Sequence, residues 1–189
     1  MISAILLAAG TSSRFGKKNK LLAKYKKKFL LSHSLNNLLK SKVKEIIIVM
    51  GNESNLVMKQ VPKNSKIKIT FNKNYKKGMS SSILAGIKKI NKNHKGFLIC
   101  LSDMPKIKFS TYNKIISSFK KNITVPCVPF YKLQNGNPVC FPIKYIAKLR
   151  KLKGDQGAKK IIEKNKFRKV NINSKSILID FDKSTDFKK

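Results

Sequence analysis

The stretch Ile2–Leu22, ISAILLAAGTSSRFGKKNKLL, decides the fold prediction for this chain of 189 residues. Its first part, Ile2–Leu7, is short and apolar, which predicts a buried β-strand. The strand runs into small residues and two glycines, Gly10 and Gly16, which enclose a single arginine, Arg14. A buried strand that ends in a glycine-rich loop is typical of α/β proteins, and it raises the hypothesis of a phosphate-binding loop.

Two common phosphate-binding patterns do not fit this loop. A P-loop needs four residues between its glycines and a hydroxyl residue after its lysine. Here five residues separate Gly10 from Gly16, and Lys17 is followed by Lys18. The dinucleotide fingerprint fails as well, because its further glycines and its acidic residue about 20 positions on are missing. The loop is therefore not that of a kinase, a GTPase or a dehydrogenase.

The loop nevertheless carries groups suited to phosphate. Ala8, Ala9 and Gly10 lack bulk, so their backbone N–H groups can approach a nucleotide closely. Arg14 offers paired donors, and Lys20 supplies a point charge at the far end of the loop. The alternative is an ordinary connection from a strand to a helix with lysines on its surface.

Strands and helices alternate along the rest of the chain. Strands are predicted at Ile2–Leu7, Glu45–Met50, Lys66–Phe71, Gly96–Leu101, Ile123–Phe130, Asn137–Phe141, Lys169–Ile172 and Ile177–Phe181. Helices are predicted at Leu30–Leu39, Asn52–Gln60, Ser80–Ile90, Phe109–Phe119, Ile143–Leu152 and Gln156–Lys164. This order predicts a three-layer α/β fold with a mostly parallel sheet, in a single domain over residues 1–189. Ligands of such sheets bind beyond the carboxyl ends of the strands.

The net charge of +35 is the most prominent property of the composition. Such a charge suggests nucleic acid or an acidic membrane as a partner. The excess is spread along the whole chain, however, and consists of 40 lysines and only three arginines, Arg14, Arg150 and Arg168. Because recognition surfaces favour arginine, the diffuse charge fits a solvated surface about as well as a nucleic-acid face and does not settle function alone, and a basic nucleic-acid-binding protein is kept as the alternative from a different class. In so lysine-rich a chain, Arg14 suggests a site that needs the paired donors of a guanidinium group, and the alternative is that its position arose by chance.

The cysteines and histidines predict neither a disulfide framework nor a zinc site. Cys100, Cys127 and Cys140 are widely spaced inside apolar segments, which favours buried, reduced thiols. His33 and His94 have no partner at the spacing of metal ligands. No apolar run reaches the roughly 18 residues of a membrane span, and the N-terminus does not resemble a secretory signal. We therefore expect a cytoplasmic protein.

A second loop brings in a carboxylate. Asp103 follows directly after the predicted buried strand Gly96–Leu101, and Mg²⁺ prefers carboxylate oxygens together with the phosphate oxygens of a substrate. Asp155 is a further candidate ligand, and its alternative role is a helix cap. The remaining aspartates, Asp180, Asp182 and Asp186, are interpreted as structural.

Six motifs, taken in order, resemble the MobA-like nucleotidyltransferases, and within them the molybdenum cofactor cytidylyltransferases. They span nearly the whole chain: LAAGTSSRFGKKNKLL (Leu7–Leu22), NKNYKKGMSSSILAGI (Asn72–Ile87), LSDMP (Leu101–Pro105), NGNPVCF (Asn135–Phe141), GDQGAK (Gly154–Lys159) and IDFDKSTDF (Ile179–Phe187). The resemblance implies a Rossmann-like nucleotidyltransferase fold.

The resemblance also implies a reaction. A Mg²⁺-dependent enzyme of this branch transfers CMP from CTP to Mo-molybdopterin and releases pyrophosphate, and a molybdoenzyme then receives the product as a client. The alternatives inside the family are a GTP-dependent guanylyltransferase and a nucleotidyltransferase that acts on a sugar or alcohol phosphate.

Residue roles follow from the same resemblance. Arg14, Lys20 and Asp103 would be catalytic, with the two cations on the triphosphate and the carboxylate on the metal. Asp155 would be a second metal ligand. The nucleotide would also contact Leu7, Ala8, Ala9, Gly10, Ser80, Ser81 and Ser82. The acceptor would contact Asn135, Gly136, Asn137 and Pro138, where the preceding turn has Lys132 and Gln134 instead of the family's usual arginine.

Overall fold

The structure, a computed structural model, describes residues 1–16 and 18–188, so Lys17 of the glycine-rich loop lies outside it. Its strands are β1 Ile2–Ala8, β2 Lys24–Tyr25, β3 Lys28–Phe29, β4 Glu45–Met50, β5 Ile67–Phe71, β6 Gly96–Leu101, β7 Cys127–Tyr131, β8 Gln134–Asn135, β9 Val139–Pro142 and β10 Arg168–Asn171. Its α-helices are α1 Leu30–Leu39, α2 Ser54–Met58, α3 Met79–Ile87, α4 Phe109–Lys121, α5 Ile146–Leu149 and α6 Lys159–Glu163. Short 3-10 helices include Ser13–Phe15, Lys20–Leu22, Tyr75–Lys77, Ile143–Tyr145, Lys175–Leu178 and Ser184–Lys188.

The main sheet is mixed but mostly parallel. Its strand order is β10-β7-β9-β6-β1-β4-β5, with β8 paired to β7. Strands β1, β4, β5 and β6 pair in parallel, as do β7 and β10, whereas β9 runs antiparallel to β6 and β7. The predicted mostly parallel sheet is therefore confirmed. Strands β2 and β3 form a small separate hairpin that the sequence pattern did not predict.

Helices cover both faces of the sheet. On β1, the even-numbered residues pack against α1 and α4, while Ile5 and Leu7 pack against α3, α5 and α6. Successive side chains of a strand point to opposite faces, so a continuous apolar run such as β1 is suited to a strand buried on both sides. The three-layer α/β fold is confirmed.

Helix α3 lies very close to β1 because it carries a glycine at the contact. A Cβ added to Gly86 would collide with the Cγ2 methyl of Ile5 and would lie 3.1 Å from Cγ2 of Val49. The close approach fixes the distance between α3 and β1, and it thereby fixes the position of the loop that precedes the helix.

The amino-terminal edge of the central strands is closed by three buried polar residues. The Ser3 hydroxyl donates to Oε1 of Glu45 at 2.7 Å, and Nδ1 of His94 lies 2.7 Å from the same hydroxyl. Because the Ser3 proton is directed at Glu45, His94 donates its Nδ1–H to the Ser3 oxygen. Burial lowers the pKa of His94, although the nearby Glu45 opposes this effect. The three residues tie β1, β4 and the approach to β6 together.

The predicted terminal strand Ile177–Phe181 is wrong. The chain forms the 3-10 helix Lys175–Leu178 there and then continues in an extended conformation. Ile177 and Phe181 are both fully buried in the core beside α1 and α4. The burial of these two side chains therefore reflects how this segment packs, and it does not reflect strand pairing.

Several predicted boundaries also need correction. The helix predicted at Ser80–Ile90 is α3, which begins at Met79 behind Gly78, has no side-chain cap and ends at Ile87. The strand predicted from Ile123 begins only at Cys127 and runs on to Tyr131. The helices predicted at Asn52–Gln60, Ile143–Leu152 and Gln156–Lys164 are shorter than their patterns suggested, as α2, α5 and α6 show.

Predictions from the sequence also covered the thiols and membrane-spanning helices. Cys100, Cys127 and Cys140 are free and buried, as expected. Burial raises the pKa of all three thiols, which keeps them protonated. Among the residues described, there is no helix with the length and apolarity needed to cross a bilayer.

Candidate active site

A cavity of about 470 Å³ opens at the carboxyl ends of β1 and β6. It is bounded by the loops that follow β1, β5 and β6 and by the C-terminal segment. Of the residues predicted to form the site, those that line it are Leu7, Ala9, Gly10, Arg14, Lys20, Ser82, Asp103 and Asp155. The structure adds Thr11, Ser12, Ser13, Leu21, Tyr75, Lys76, Gly78, Met79, Leu101, Ser102, Asp180 and Asp182. Four of the eight acidic residues of this basic chain therefore face one cavity.

Some predicted site residues do not line this cavity in the described part of the chain. Ala8 is buried on the face of the sheet that α1 and α4 cover. Ser80 is buried, and the Ser81 hydroxyl shares its one proton between the carbonyl oxygens of Asn74 and Gly78, at 2.9 and 2.7 Å. The proposed acceptor residues Asn135, Gly136, Asn137 and Pro138 lie in and after strand β8, outside the lining set.

Two cations and two carboxylates form the centre of the site. The Lys20 ammonium donates to Oδ2 of Asp103 at 2.6 Å and to Oδ1 of Asp182 at 2.7 Å. The other oxygen of Asp182 pairs with Nη1 of Arg14 at 2.7 Å. Asp182, which was interpreted as structural from the sequence, therefore joins both cations of the predicted phosphate site.

Burial shapes the electrostatics of Lys20 and Asp103. Burial alone would lower the pKa of Lys20, but the carboxylates of Asp103 and Asp182 outweigh it, and the net pKa of Lys20 is raised. Burial raises the pKa of Asp103, and the negative charges of Asp180 and Asp182 add to the effect while Lys20 opposes it. A further positive charge at this place would therefore stabilise the ionised form of Asp103.

Asp103 has an oxygen available for such a charge. Its Oδ1 is buried and has no hydrogen-bond partner among residues 1–16 and 18–188. Buried carboxylate oxygens normally have a partner, and an unsatisfied one calls for an explanation such as an ion. Within the described chain, no three His, Cys, Asp or Glu side chains are grouped closely enough to hold a metal alone. Asp103 thus fits a Mg²⁺ that takes most of its ligands from substrate phosphates and water.

The loops around Lys20 and Asp103 are fixed by buried hydrogen bonds. The backbone N–H of Lys20 donates to the Ser12 hydroxyl at 3.1 Å, which closes the loop after β1. Ser102 donates to the carbonyl of Leu7 at 2.6 Å and accepts at its own carbonyl from Ser34 at 3.1 Å. The two strand ends are therefore tied together, and the two side chains are held in register.

The loop that contains Asp155 is attached to the start of α3. Gly78 has φ +98°, and a Cβ on it would lie 2.7 Å from the backbone nitrogen of Asp155. Ser80 N–H donates to the carbonyl of Gly154 at 3.1 Å. Asp155 reaches the cavity through this contact, and α6 begins only at Lys159, so Asp155 is not the cap of that helix.

The C-terminal segment was not predicted as part of the site, although its motif had been recognised. The backbone N–H of Phe181 donates to the carbonyl of Asp103 at 2.9 Å. The rings of Phe181 and Tyr25 are 4.8 Å apart, and those of Phe187 and Phe15 are 5.1 Å apart. The quoted motif IDFDKSTDF was the available signal, because two of its aspartates line the cavity.

The chain belongs to the MobA-like NTP transferase family. The profile of the MobA-like NTP transferase domain matches residues 4–170. This match confirms the resemblance drawn from the motifs and identifies the fold as that of a nucleotidyltransferase.

Two relatives resemble parts of the chain. Nicotine blue oxidoreductase of Paenarthrobacter nicotinovorans is 29% identical over 120 residues, which are 63% of this chain and 57% of that protein. Molybdenum cofactor cytidylyltransferase of Escherichia coli K12 is 28% identical over 137 residues, which are 72% of this chain and 66% of that protein. The matches thus span less than two thirds of either relative.

Solved structures share the fold over nearly the whole chain. Rv0371c from Mycobacterium tuberculosis H37Rv superposes with a TM-score of 0.87 at 22% identity, covering 99% of this chain and 95% of that one. A complex of Rv0371c with manganese gives a TM-score of 0.76 at 20% identity, covering 90% and 88%. These likenesses establish the architecture.

Proposed function

We propose that this protein transfers CMP from CTP to Mo-molybdopterin and releases pyrophosphate. The observation that carries the proposal is the group of Arg14, Lys20 and Asp103, which share one cavity at the strand ends of a MobA-like NTP transferase. The partial match to a molybdenum cofactor cytidylyltransferase supports the choice of CTP and of the acceptor.

In this proposal Arg14 and Lys20 hold the triphosphate. Transfer of a nucleotidyl group develops negative charge on the α-phosphate and on the departing pyrophosphate, so the protein's task is positioning and neutralisation. Arg14 is mostly exposed, with 72% of its side chain accessible, and its fork can close on phosphate oxygens from the solvent side. Lys20 is buried and supplies a fixed charge.

A Mg²⁺ ion would be held by Asp103, with Asp155 as the second candidate and Asp182 within the same cavity. When bound, the metal would supply positive charge that offsets the negative charge developing on the α-phosphate and on the departing pyrophosphate. Support comes from the unsatisfied Oδ1 of Asp103 and from the manganese complex of a protein of the same fold.

The nucleotide and the acceptor are assigned to different parts of the surface. We place the nucleotide against Leu7, Ala9, Gly10 and Ser82, which line the cavity. The acceptor is assigned to the turn after β8, at Asn135, Gly136, Asn137 and Pro138. Its phosphate is already a nucleophile, so the reaction needs no general base from the protein. A cytoplasmic location and a molybdoenzyme client complete the proposal.

A matrix of nucleotides and acceptors tests the proposed function. Pyrophosphate release is measured for CTP, GTP, ATP and UTP, each with Mo-molybdopterin and with simple sugar and alcohol phosphates. We expect Mg²⁺-dependent release with CTP and Mo-molybdopterin and formation of the cytosine dinucleotide. Activity only with another pair would contradict the cytidylyl assignment and would support the guanylyl or sugar-phosphate alternatives.

The oxidoreductase relative defines an additional arm of the assay. The protein is incubated with NADH or NADPH and nicotine blue, and oxidation of the nicotinamide is followed. Reduction of the dye without any pyrophosphate release from the nucleotide matrix would overturn the transferase proposal. We expect no dye reduction, because the loop after β1 lacks the dinucleotide fingerprint.

A further inference from the structure

The C-terminal tail, residues Ile179–Lys188, occupies the cations that the proposed function assigns to the triphosphate. Asp182 accepts from Lys20 through Oδ1 and pairs with Arg14 through Oδ2, both at 2.7 Å. One carboxylate therefore bridges the two groups on which phosphate binding depends.

We propose that Asp182 holds the place of a phosphate in the nucleotide-free protein, and that Asp182–Lys188 form a strap which nucleotide binding opens. The proposal rests on the proposed function, because it takes Arg14 and Lys20 as the triphosphate ligands. Chemically, a carboxylate resembles a phosphate in offering two oxygens to two cationic donors. Asp182 uses both of its oxygens in this way.

The strap has a fixed root. Phe181 is 1% exposed, packs on Tyr25, and donates its N–H to the carbonyl of Asp103. Beyond this root, the strap touches the glycine-rich loop through Phe187, which is only half-buried and lies against Phe15. Phe187 also contacts the ring of Phe181, with 5.3 Å between the ring centroids, so opening of the strap breaks this contact together with the ion pairs of Asp182.

The strap also keeps its own shape. Oδ2 of Asp186 accepts from the backbone N–H groups of Asp182 and Lys183, at 2.9 and 2.8 Å. The 3-10 helix Ser184–Lys188 continues from this turn. The main sheet includes none of these residues in the described chain, so the strap can leave the loop without breaking the pairing of strands.

Charge gives the direction of the effect. A triphosphate that binds Arg14 and Lys20 must displace Asp182, and a carboxylate left beside the phosphates would repel them. Only protein whose strap has left Arg14 and Lys20 can bind the metal-free triphosphate. The larger the fraction of protein in which Asp182 still holds these cations, the weaker the apparent affinity becomes. Removing the charge of Asp182 should raise this affinity, whereas an ordinary cavity residue should change it little.

Binding of inorganic tripolyphosphate in EDTA, measured by calorimetry, tests the first half of the proposal. Asp182→Asn keeps the shape of the side chain, and we expect it to bind about tenfold more tightly than the wild type, a gain of about 1.4 kcal/mol. The matched control is Asp180→Asn, which makes the same charge change in the same cavity at a residue with no ion pair to Arg14 or Lys20 in the described chain. We expect this control to shift the affinity about twofold or less by the general loss of one charge.

The second half of the proposal, the opening of the strap, is tested by fluorescence. The chain has no tryptophan, so Phe187→Trp introduces a single indole beside Phe15 and Phe181, which can be excited selectively over the five tyrosines. Adding tripolyphosphate should shift its emission to longer wavelength as the ring becomes hydrated. In Phe187→Trp combined with Asp182→Asn, emission should be shifted before any ligand is added.

Each outcome bears on a separate claim. Equal affinities of Asp182→Asn and the wild type would overturn the place-holding role of Asp182. Tight binding without a change in emission would overturn the opening of the strap. If tripolyphosphate binds none of the proteins, with or without Mg²⁺, the phosphate assignment of Arg14 and Lys20 is wrong, and the proposed function fails with the strap.

Discussion

At the scale of single residues, Asp103 is the most sensitive position in the candidate site. Asp103→Asn should lower the rate of pyrophosphate release at least about a hundredfold, because it removes the charge that would hold the metal. The fold should survive, since Lys20 keeps its pair with Asp182. Steady-state kinetics together with thermal unfolding measure both effects. Near-normal turnover in a folded variant would refute the metal-ligand assignment.

A substitution at Arg14 tests whether the site needs the paired N–H donors of a guanidinium group or only a positive charge. Arg14→Lys should reduce kcat/KM by about tenfold to a hundredfold, since a lysine cannot make paired bonds to phosphate oxygens. Stability should hardly change, because the Arg14 side chain is largely exposed. The matched control is Arg150→Lys, which makes the same substitution at an exposed residue outside the cavity. Equal rates for the two variants would show that Arg14 has no special role.

At the scale of elements, the contact between α3 and β1 depends on a missing side chain. Gly86→Ala gains up to about 1 kcal/mol of helix propensity but forces a methyl group onto Ile5, which typically costs about 1–3 kcal/mol. We expect a net loss of stability in urea unfolding. Gly10→Ala is the control, because a Cβ there meets nothing within 4 Å. A stability of Gly86→Ala equal to or above that of the control would mean that α3 and β1 can move apart.

The polar group at the amino-terminal edge makes stability depend on pH. The pKa of His94 is lowered from its ordinary value of 6.5 in the folded protein, so the unfolded chain takes up a proton first as the pH falls. The contribution of neutral His94 to the free energy of unfolding is therefore complete above pH 6.5. It is lost as the pH falls from 6.5 toward the pKa of His94 in the folded protein. Glu45 has a lowered pKa as well, and it adds to the loss only below about pH 4.5.

Urea unfolding between pH 8 and pH 5 measures this dependence. His94→Asn retains a donor toward Ser3 but cannot take up a proton, so its stability should vary less with pH than that of the wild type. His33→Asn serves as the comparison, because His33 lies in another part of the fold and contacts the carbonyl of Tyr25. Identical pH slopes for the wild type and His94→Asn would exclude His94 as the source.

The limits of sequence reasoning are visible in the same elements. Strand β1, the loop after it and Asp103 were predictable because each depends on local order: an apolar run, small residues, and a carboxylate directly behind a strand. The ion pair between Asp182 and Lys20 was not predictable, because 162 positions separate the two residues and only the tertiary fold brings them together. The false strand at Ile177–Phe181 has the same cause, since its burial comes from α1 and α4 packing on it.

At the scale of the whole molecule, the net charge of +35 opposes compactness. Self-repulsion between lysines is screened by salt, so raising NaCl from 20 to about 300 mM should increase Tm by on the order of 5 °C. Sucrose of equal osmolality controls for effects that are not electrostatic. A Tm that does not respond to NaCl would mean that repulsion between lysines does not limit the stability of the fold.

The nucleic-acid alternative is also a matter of the whole surface. Charge spread over all faces predicts binding to duplex DNA that weakens steeply with salt and is insensitive to Arg14→Lys. The proposed transferase instead depends on Arg14, Lys20 and Asp103, which share one cavity, and a diffuse basic charge does not require that grouping.

The position of the strap beyond the family profile has a practical consequence for anyone who produces this protein. The family profile ends at residue 170, whereas Phe181, Asp182 and Phe187 come after it. A truncated version cut at that boundary would lose the ring beneath Tyr25 and a carboxylate on both cations, and its nucleotide affinity would not represent the whole chain. A purification tag is better fused before Met1, which is 67% exposed at the opposite edge of the sheet.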